Sequence, residues 1–221
     1  MKLYKRMPLA TVRGLLLLLI GALFLLYFIF TMPTFMEAND ELVQESNFIP
    51  RISEFNIELE EFKLQEEIQL DLTTSSNLTE EMINFILKDG GENIIGIGNA
   101  YIEAENQYNV NALFLLALSM YSSGWGKSRI ALDKNNLFHY ESYNKCPYEC
   151  ARTFDSVEDS IIFVAMKLNN NYLTEGGKFF KGYTLKEVNK KYDSNLMWYL
   201  EIAKVMNEFK STLNSEFGYS S

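Results

Sequence analysis

Basic residues are in short supply in this chain. Twenty lysines and arginines stand against 29 aspartates and glutamates, giving a formal net charge of -9 and a pI near 4.8. That balance excludes a nucleic-acid binder, which needs a basic stripe to displace phosphate counterions. A polyanionic ligand would have to be held by shape and hydrogen bonds. Histidine and cysteine are scarcer still: His139 stands alone, and Cys146 and Cys150 are the two thiols. Two cysteines without a neighbouring third and fourth ligand make a poor zinc site, so no metal or cofactor is implied. Paired or free, the cysteines of CPYEC read as local structure, because a separation of four residues closes a small loop with little gain in chain entropy. Between Thr34 and Glu80 there is no Trp, Tyr, Gly or Cys, and Arg51 and Lys63 are the only basic residues among about a dozen acids. Internal repeats and low-complexity tracts are missing as well.

What is present is a composition able to fold: 48 % hydrophobic and 14 % aromatic over 221 residues, enough for one medium domain and an appendage. The run GLLLLLIGALFLLYFIFTM, residues 14–32, carries no charge, and at 1.5 Å per residue it spans a hydrocarbon core of about 30 Å. It predicts a transmembrane anchor. Lys2, Lys5, Arg6 and Arg13 precede it and Glu37, Asp40 and Glu41 follow it, so residues 1–13 are expected in the cytoplasm and everything after Pro33 outside. The other reading, a cleaved signal peptide, fits less well, since the apolar run is long and no small-x-small cleavage site follows. Residues 33–78 read as an acidic stalk with partial helix or strand, because the apolar residues of ISEFNIELEEFKLQEEIQLDL are spaced irregularly between helix and strand periods.

From Thr79 the texture changes to amphipathic helix. TEEMINFILKDGG offers Thr79 as N-cap, acids in the first turn and Gly90-Gly91 as a stop. A second helix follows, and NALFLLALSMYSSG predicts a third that is buried on most sides. SVEDSIIFVAMKLNNNYL starts with Ser156 as cap, with TLKEVNKKY and NLMWYLEIAKVMNEFKSTL after it. The domain is therefore expected over 79–214, mainly α, with a tail at 215–221. The interval from Asn135 to Phe154 is poorly periodic and reads as loops or a small hairpin.

Several separated motifs occur in fixed order: SGWGKS, KNNLF, PYECARTFDSVEDSI, YLTEGGK and TLKEVNKKY. Over roughly residues 92–209 this set resembles the glucosaminidase family of bacterial cell-wall hydrolases, glycoside hydrolase family 73, with its mannosyl-glycoprotein endo-beta-N-acetylglucosaminidase-like domain. The resemblance implies a lysozyme-like, mainly α-helical fold with a small loop or β region at a cleft. It also implies action on β-1,4 bonds between N-acetylglucosamine and N-acetylmuramic acid in peptidoglycan. With the anchor, it implies a single-pass protein of the bacterial cytoplasmic membrane whose partners are peptidoglycan glycan strands; a membrane-protein partner for the stalk is left open by the sequence. The family's general acid is a glutamate at the end of a buried helix, and in register that position is Ser122. A serine hydroxyl has no acidity near neutral pH, whereas a glycosidase delivers a proton to the leaving oxygen from a carboxylic acid of raised pKa. The resemblance thus predicts a hydrolase that is weak or inactive; the alternative is a non-catalytic scaffold or regulator that binds glycan or a partner.

Other positions carry expectations of their own. Glu141, in the loop FHYESY, is a candidate substitute acid. Glu103 and Glu105 read as helix surface, or one of them as a buried structural hydrogen bond. Asp155 and Glu158 read as turn and cap chemistry, and His139 as structural. The resemblance places Tyr192 beside the reaction centre. Trp125, Asn135, Asn136, Phe138 and Tyr143 are the candidate substrate-binding residues: the rings as stacking faces or packing, the amides as ties to backbone or to N-acetyl groups. Phe154 reads as core.

Overall fold

The computed structural model describes residues 61–220. The candidate tail 1–13, the candidate anchor 14–32 and the first part of the candidate stalk lie outside the described residues. Among the described residues, no helix is long and apolar enough to cross a membrane. They form eight α-helices: α1 (61–69), α2 (Glu80–Leu87), α3 (Gly98–Tyr108), α4 (Ala112–Ser123), α5 (Arg129–Lys134), α6 (Val157–Leu168), α7 (Leu185–Tyr192) and α8 (Trp198–Phe217). A 3-10 turn at Glu92–Ile94 precedes α3, and a π-helical turn at Asn169–Leu173 extends α6. No strand occurs among the described residues, and the expected loop or hairpin over 135–154 contains one isolated bridge, Tyr143 to Cys146.

α4 is the axis of the fold. Its residues from Ala112 to Met120 are all buried, against α8, α3 and α6. Full burial is worth about 1.5–3 kcal/mol for each of Leu113, Phe114, Leu115, Leu116 and Leu118. A helix apolar on every side has no choice but the centre. Asn111 caps it, its Oδ1 accepting the Phe114 N–H at 3.0 Å. The other caps follow the sequence reading: Thr79 accepts from Met82 N at 3.2 Å, and Ser156 from Asp159 N at 3.0 Å. α2 ends at Leu87, short of Gly90-Gly91. The short α5 was not foreseen; Ser128, which caps it by accepting the Ala131 N–H at 3.2 Å, is its sequence signal.

The stalk reading needs correction at its C-terminal end. Residues 61–78 belong to the folded body: Ile68, Leu72 and Leu78 are buried in the same core as α4. Leu72 N–H donates to the Tyr183 carbonyl at 2.9 Å and the Leu72 carbonyl accepts from Asn111 N at 2.8 Å. The irregular apolar spacing arises because the chain leaves α1 at residue 69 and continues as a non-helical strap, so neither period holds throughout. The expected tail is likewise incorporated. α8 runs to Phe217 and ends at Gly218 in the left-handed conformation; Tyr219 then folds back, buried, and donates its hydroxyl to the Ser76 carbonyl at 2.6 Å.

A buried ion pair joins α1 to α8. Glu67, 2 % exposed, meets Lys210 at 2.6 Å through Oε1, while its Oε2 is buried without a partner. Burial raises the Glu67 pKa above 4.5, against the lowering by Lys210. A carboxyl with a raised native pKa favours folding when protonated. Its contribution is fully present below the unfolded value and is lost as pH rises through the native one. Urea denaturation of Glu67→Gln should therefore show its stability relative to the unmodified chain growing as pH is raised from about 4.5 towards 7. A pH-independent difference would mean that Glu67 is not strained by burial.

Candidate functional site

The site is built from the C-terminal turn of α4. Gly124 closes the helix at φ 57, its N–H donating to the Met120 carbonyl, and Trp125 and Gly126 follow at φ 61 and 73. Three successive left-handed residues explain Gly-Trp-Gly, since an L-residue there costs roughly 1–2 kcal/mol and glycine avoids it. Gly126 is needed for space as well: a Cβ would lie 2.8 Å from Ile94 Cγ2. Ser123, fully buried, holds the turn by accepting the Gly126 N–H at 2.8 Å on its Oγ. The Trp125 carbonyl accepts from Gly91 N at 2.9 Å. Trp125 itself packs edge-on against Phe209, centroids 5.6 Å apart, and remains 38 % exposed. Ser122 lies half-buried one residue before this turn.

No carboxylate hydrogen-bonds to Ser122 among the described residues, and several acids of the domain are committed to other partners. Glu105 accepts the Ala112 N–H at 2.6 Å and the Ser76 N–H at 3.0 Å on Oε2, and the Ser75 hydroxyl at 2.8 Å on Oε1. It is the structural carboxylate of the pair on α3; Glu103 accepts from Asn99 at the surface. Asp133 accepts from the Tyr148 hydroxyl and pairs with Arg129, which together hold its carboxyl below the ordinary value. Asp155 and Glu158 flank the Ser156 cap and are exposed. Glu141 is exposed, at φ 62 in the loop after α5.

That loop is held by the residues of KNNLF. Asn135 Nδ2 donates to the Phe154 and Asp155 carbonyls at 3.1 and 3.2 Å. Asn136, fully buried, donates to the Tyr140 and Arg152 carbonyls and accepts the Tyr140 N–H. Of the two roles open to these amides in the sequence, the structure gives the tie to backbone. Phe138 is buried and Tyr143 is 60 % exposed. Phe154 is core, edge-on to Phe163 at 5.4 Å. His139 Nε2 lies 2.9 Å from Ser128 Oγ, tying the loop to the α5 cap, and burial lowers its pKa. Cys146 and Cys150 are disulfide-bonded with Cα atoms 5.4 Å apart, which settles the open pairing.

Tyr192 ends α7 in a row of rings: Trp198 at 4.9 Å on one side, Tyr172 at 5.5 Å on the other, and Phe179 beyond Tyr172 at 5.1 Å. Burial raises the Tyr192 pKa, with further contributions from Tyr172, Asp193 and Tyr140. Tyr172 meets Tyr192 ring to ring and Tyr140 adds to the rise in its pKa, and neither was legible: Tyr140 sits in an aperiodic loop and Tyr172 in a π-helical turn. No group of His, Cys, Asp and Glu able to hold a metal occurs among the described residues.

The helical frame around a capped, buried α4 is that of a lysozyme-like glucosaminidase domain. Autolysin E of Staphylococcus aureus matches it with a TM-score of 0.54 at 22 % identity, over 74 % of this chain and 79 % of that one. A catalytic glutamate-to-alanine mutant of the same protein, solved with the disaccharide NAG-NAM, matches with a TM-score of 0.53 at 22 % identity, over 69 % and 73 %. In sequence, residues 98–211 match the family model described as mannosyl-glycoprotein endo-beta-N-acetylglucosaminidase, and the chain belongs to that family. A putative endo-beta-N-acetylglucosaminidase of Streptococcus pneumoniae is 36 % identical over 149 residues, which is 66 % of this chain. The chain spans about a fifth of the length of that relative, 22 %.

Proposed function

We propose that the protein is a membrane-anchored, peptidoglycan-binding glucosaminidase homologue in which hydrolysis is impaired. It would engage β-1,4-linked GlcNAc-MurNAc strands at the end of α4 and along the Tyr140, Tyr172 and Tyr192 face, with residues 14–32 as the anchor. The observation that carries this reading is the environment of Ser122. It occupies the position at the end of the buried helix where the family resemblance puts a proton donor, and no carboxylate is bonded to it among the described residues. General acid–base catalysis is worth about 10²–10⁴-fold, and a glycosidase without its acid keeps little beyond substrate positioning. Membership of the family and the retained SGWGKS turn support glycan binding.

The test uses the full chain in nonionic detergent with purified glycan strands. Retention of the chain on the strands with few new reducing ends is the expected result. Turnover matching an active family member would overturn the impairment. Glu141→Gln separates out the substitute-acid alternative, because loss of residual turnover in that variant would assign the acid to Glu141.

A further inference from the structure

Beside the tyrosine face, two cations share one aromatic ring. The Arg152 guanidinium lies 4.3 Å from the Phe163 centroid and 5.4 Å from that of Phe154, and Lys167 Nζ lies 5.0 Å from Phe163. Phe163 also packs edge-on against Tyr140 at 5.2 Å, so the basic pair adjoins that tyrosine. Neither cation has a carboxylate partner within ion-pair distance among the described residues, although acids outnumber bases in the chain. Glu141, whose charge acts on the Tyr140 hydroxyl, pairs with neither.

The backbone that carries Arg152 is fixed. Its N–H donates to the Tyr140 carbonyl at 3.0 Å, and its carbonyl accepts from the buried Asn136 amide at 2.9 Å. Lying over two rings limits the exposed guanidinium further, and the planar fork of arginine suits bidentate carboxylate recognition. An exposed arginine held in this way loses less side-chain entropy when it binds than a free one would.

We propose that Arg152 and Lys167 form a subsite for the carboxylate of an acidic peptide attached to the muramyl sugar, so that the protein distinguishes acidic stems from amidated ones. This rests on the glycan-binding reading above. A strand lying along the tyrosine face would bring the substituent of a neighbouring sugar to the Phe163 cations. The pair then selects by charge, and the tyrosines hold the uncharged sugar.

Calorimetry on the full chain in nonionic detergent tests this with four probes: GlcNAc-MurNAc carrying L-Ala-D-isoglutamate, the same compound with both glutamate carboxyls amidated, uncharged chitotetraose, and a glycerol phosphate oligomer. The acidic compound should bind about tenfold more tightly than its amide, the value of one hydrogen bond to a charged group, with the advantage shrinking as salt is raised. Arg152→Gln combined with Lys167→Gln should reduce that advantage to less than about twofold and leave chitotetraose affinity unchanged. Lys167→Gln alone, which disturbs no stacked guanidinium, should remove part of it. Equal affinity for acid and amide, or an advantage that survives the double variant, overturns the subsite while chitotetraose binding upholds the glycan reading. Failure of every saccharide probe overturns that reading and the subsite with it. Tighter binding of the glycerol phosphate oligomer, lost in the same variants, would replace the peptide carboxylate with a phosphodiester polymer.

Discussion

Ser122→Glu should raise the release of reducing ends from purified glycan strands by about 10²–10⁴-fold, the usual worth of a general acid. The position is suited to the group. Ser122 is in the last turn of α4, where the unpaired carbonyl ends of the helix carry partial negative charge. That field disfavours a carboxylate, and half-burial acts in the same direction, so an introduced carboxyl there would stay protonated to higher pH than in water. The rate should fall on the alkaline side as the new carboxyl ionises, a limb that the unmodified chain lacks. Ser123→Glu supplies the contrast. Ser123 is fully buried and its hydroxyl fixes Gly126, so that variant should lose thermal stability without gaining turnover. If Ser122→Glu melts like the parent and stays inactive, the face around Tyr192 no longer holds a sugar in reacting geometry.

The helices were legible in the sequence wherever a local rule acts alone. Thr79 and Ser156 cap as their types and following acids require, and α4 is buried because its residues are apolar on every side. Legibility failed where long-range pairing decides the outcome. Glu105 is seven residues from the N–H it accepts at Ala112 and about thirty from the strap it also holds, so a helix-surface reading was the natural one. Residues 61–78 lack a period because they change conformation partway, yet Ile68, Leu72 and Leu78 still reach the core. At the site, the Gly-Trp-Gly turn is explained by its left-handed residues, whereas Ser122 is singled out by the family resemblance. The convergence of Tyr140, Tyr172 and Tyr192 depends on how a loop, a π-helical turn and a helix end meet, and no local pattern encodes that.

Glu105→Ala should destabilise the fold by about 3 kcal/mol, lowering Tm by roughly 6–12 °C for a domain of this size. The carboxylate accepts two backbone N–H groups and a hydroxyl at distances of 2.6 to 3.0 Å. Hydrogen bonds to a charged acceptor are each worth about 1.5–3 kcal/mol, but the three share one side chain and do not add in full. Its loss leaves the Ala112 N–H without this acceptor at the start of the central helix and releases residues 75 and 76 from α3. Glu105→Gln, which keeps one oxygen acceptor, should cost less than the alanine variant. Glu103→Ala, on the exposed side of the same helix, should change stability by no more than about 0.5 kcal/mol. Urea denaturation with an unchanged m-value would assign the loss to the native state, and hydrogen exchange should quicken at the amides of residues 72–78 before it does in α4. A cost for Glu105→Ala no greater than for Glu103→Ala would mean that the strap is held by its apolar contacts alone. A large cost confined to the strap amides would mean that this carboxylate is what joins the segment before residue 79 to the helix that carries Ser122.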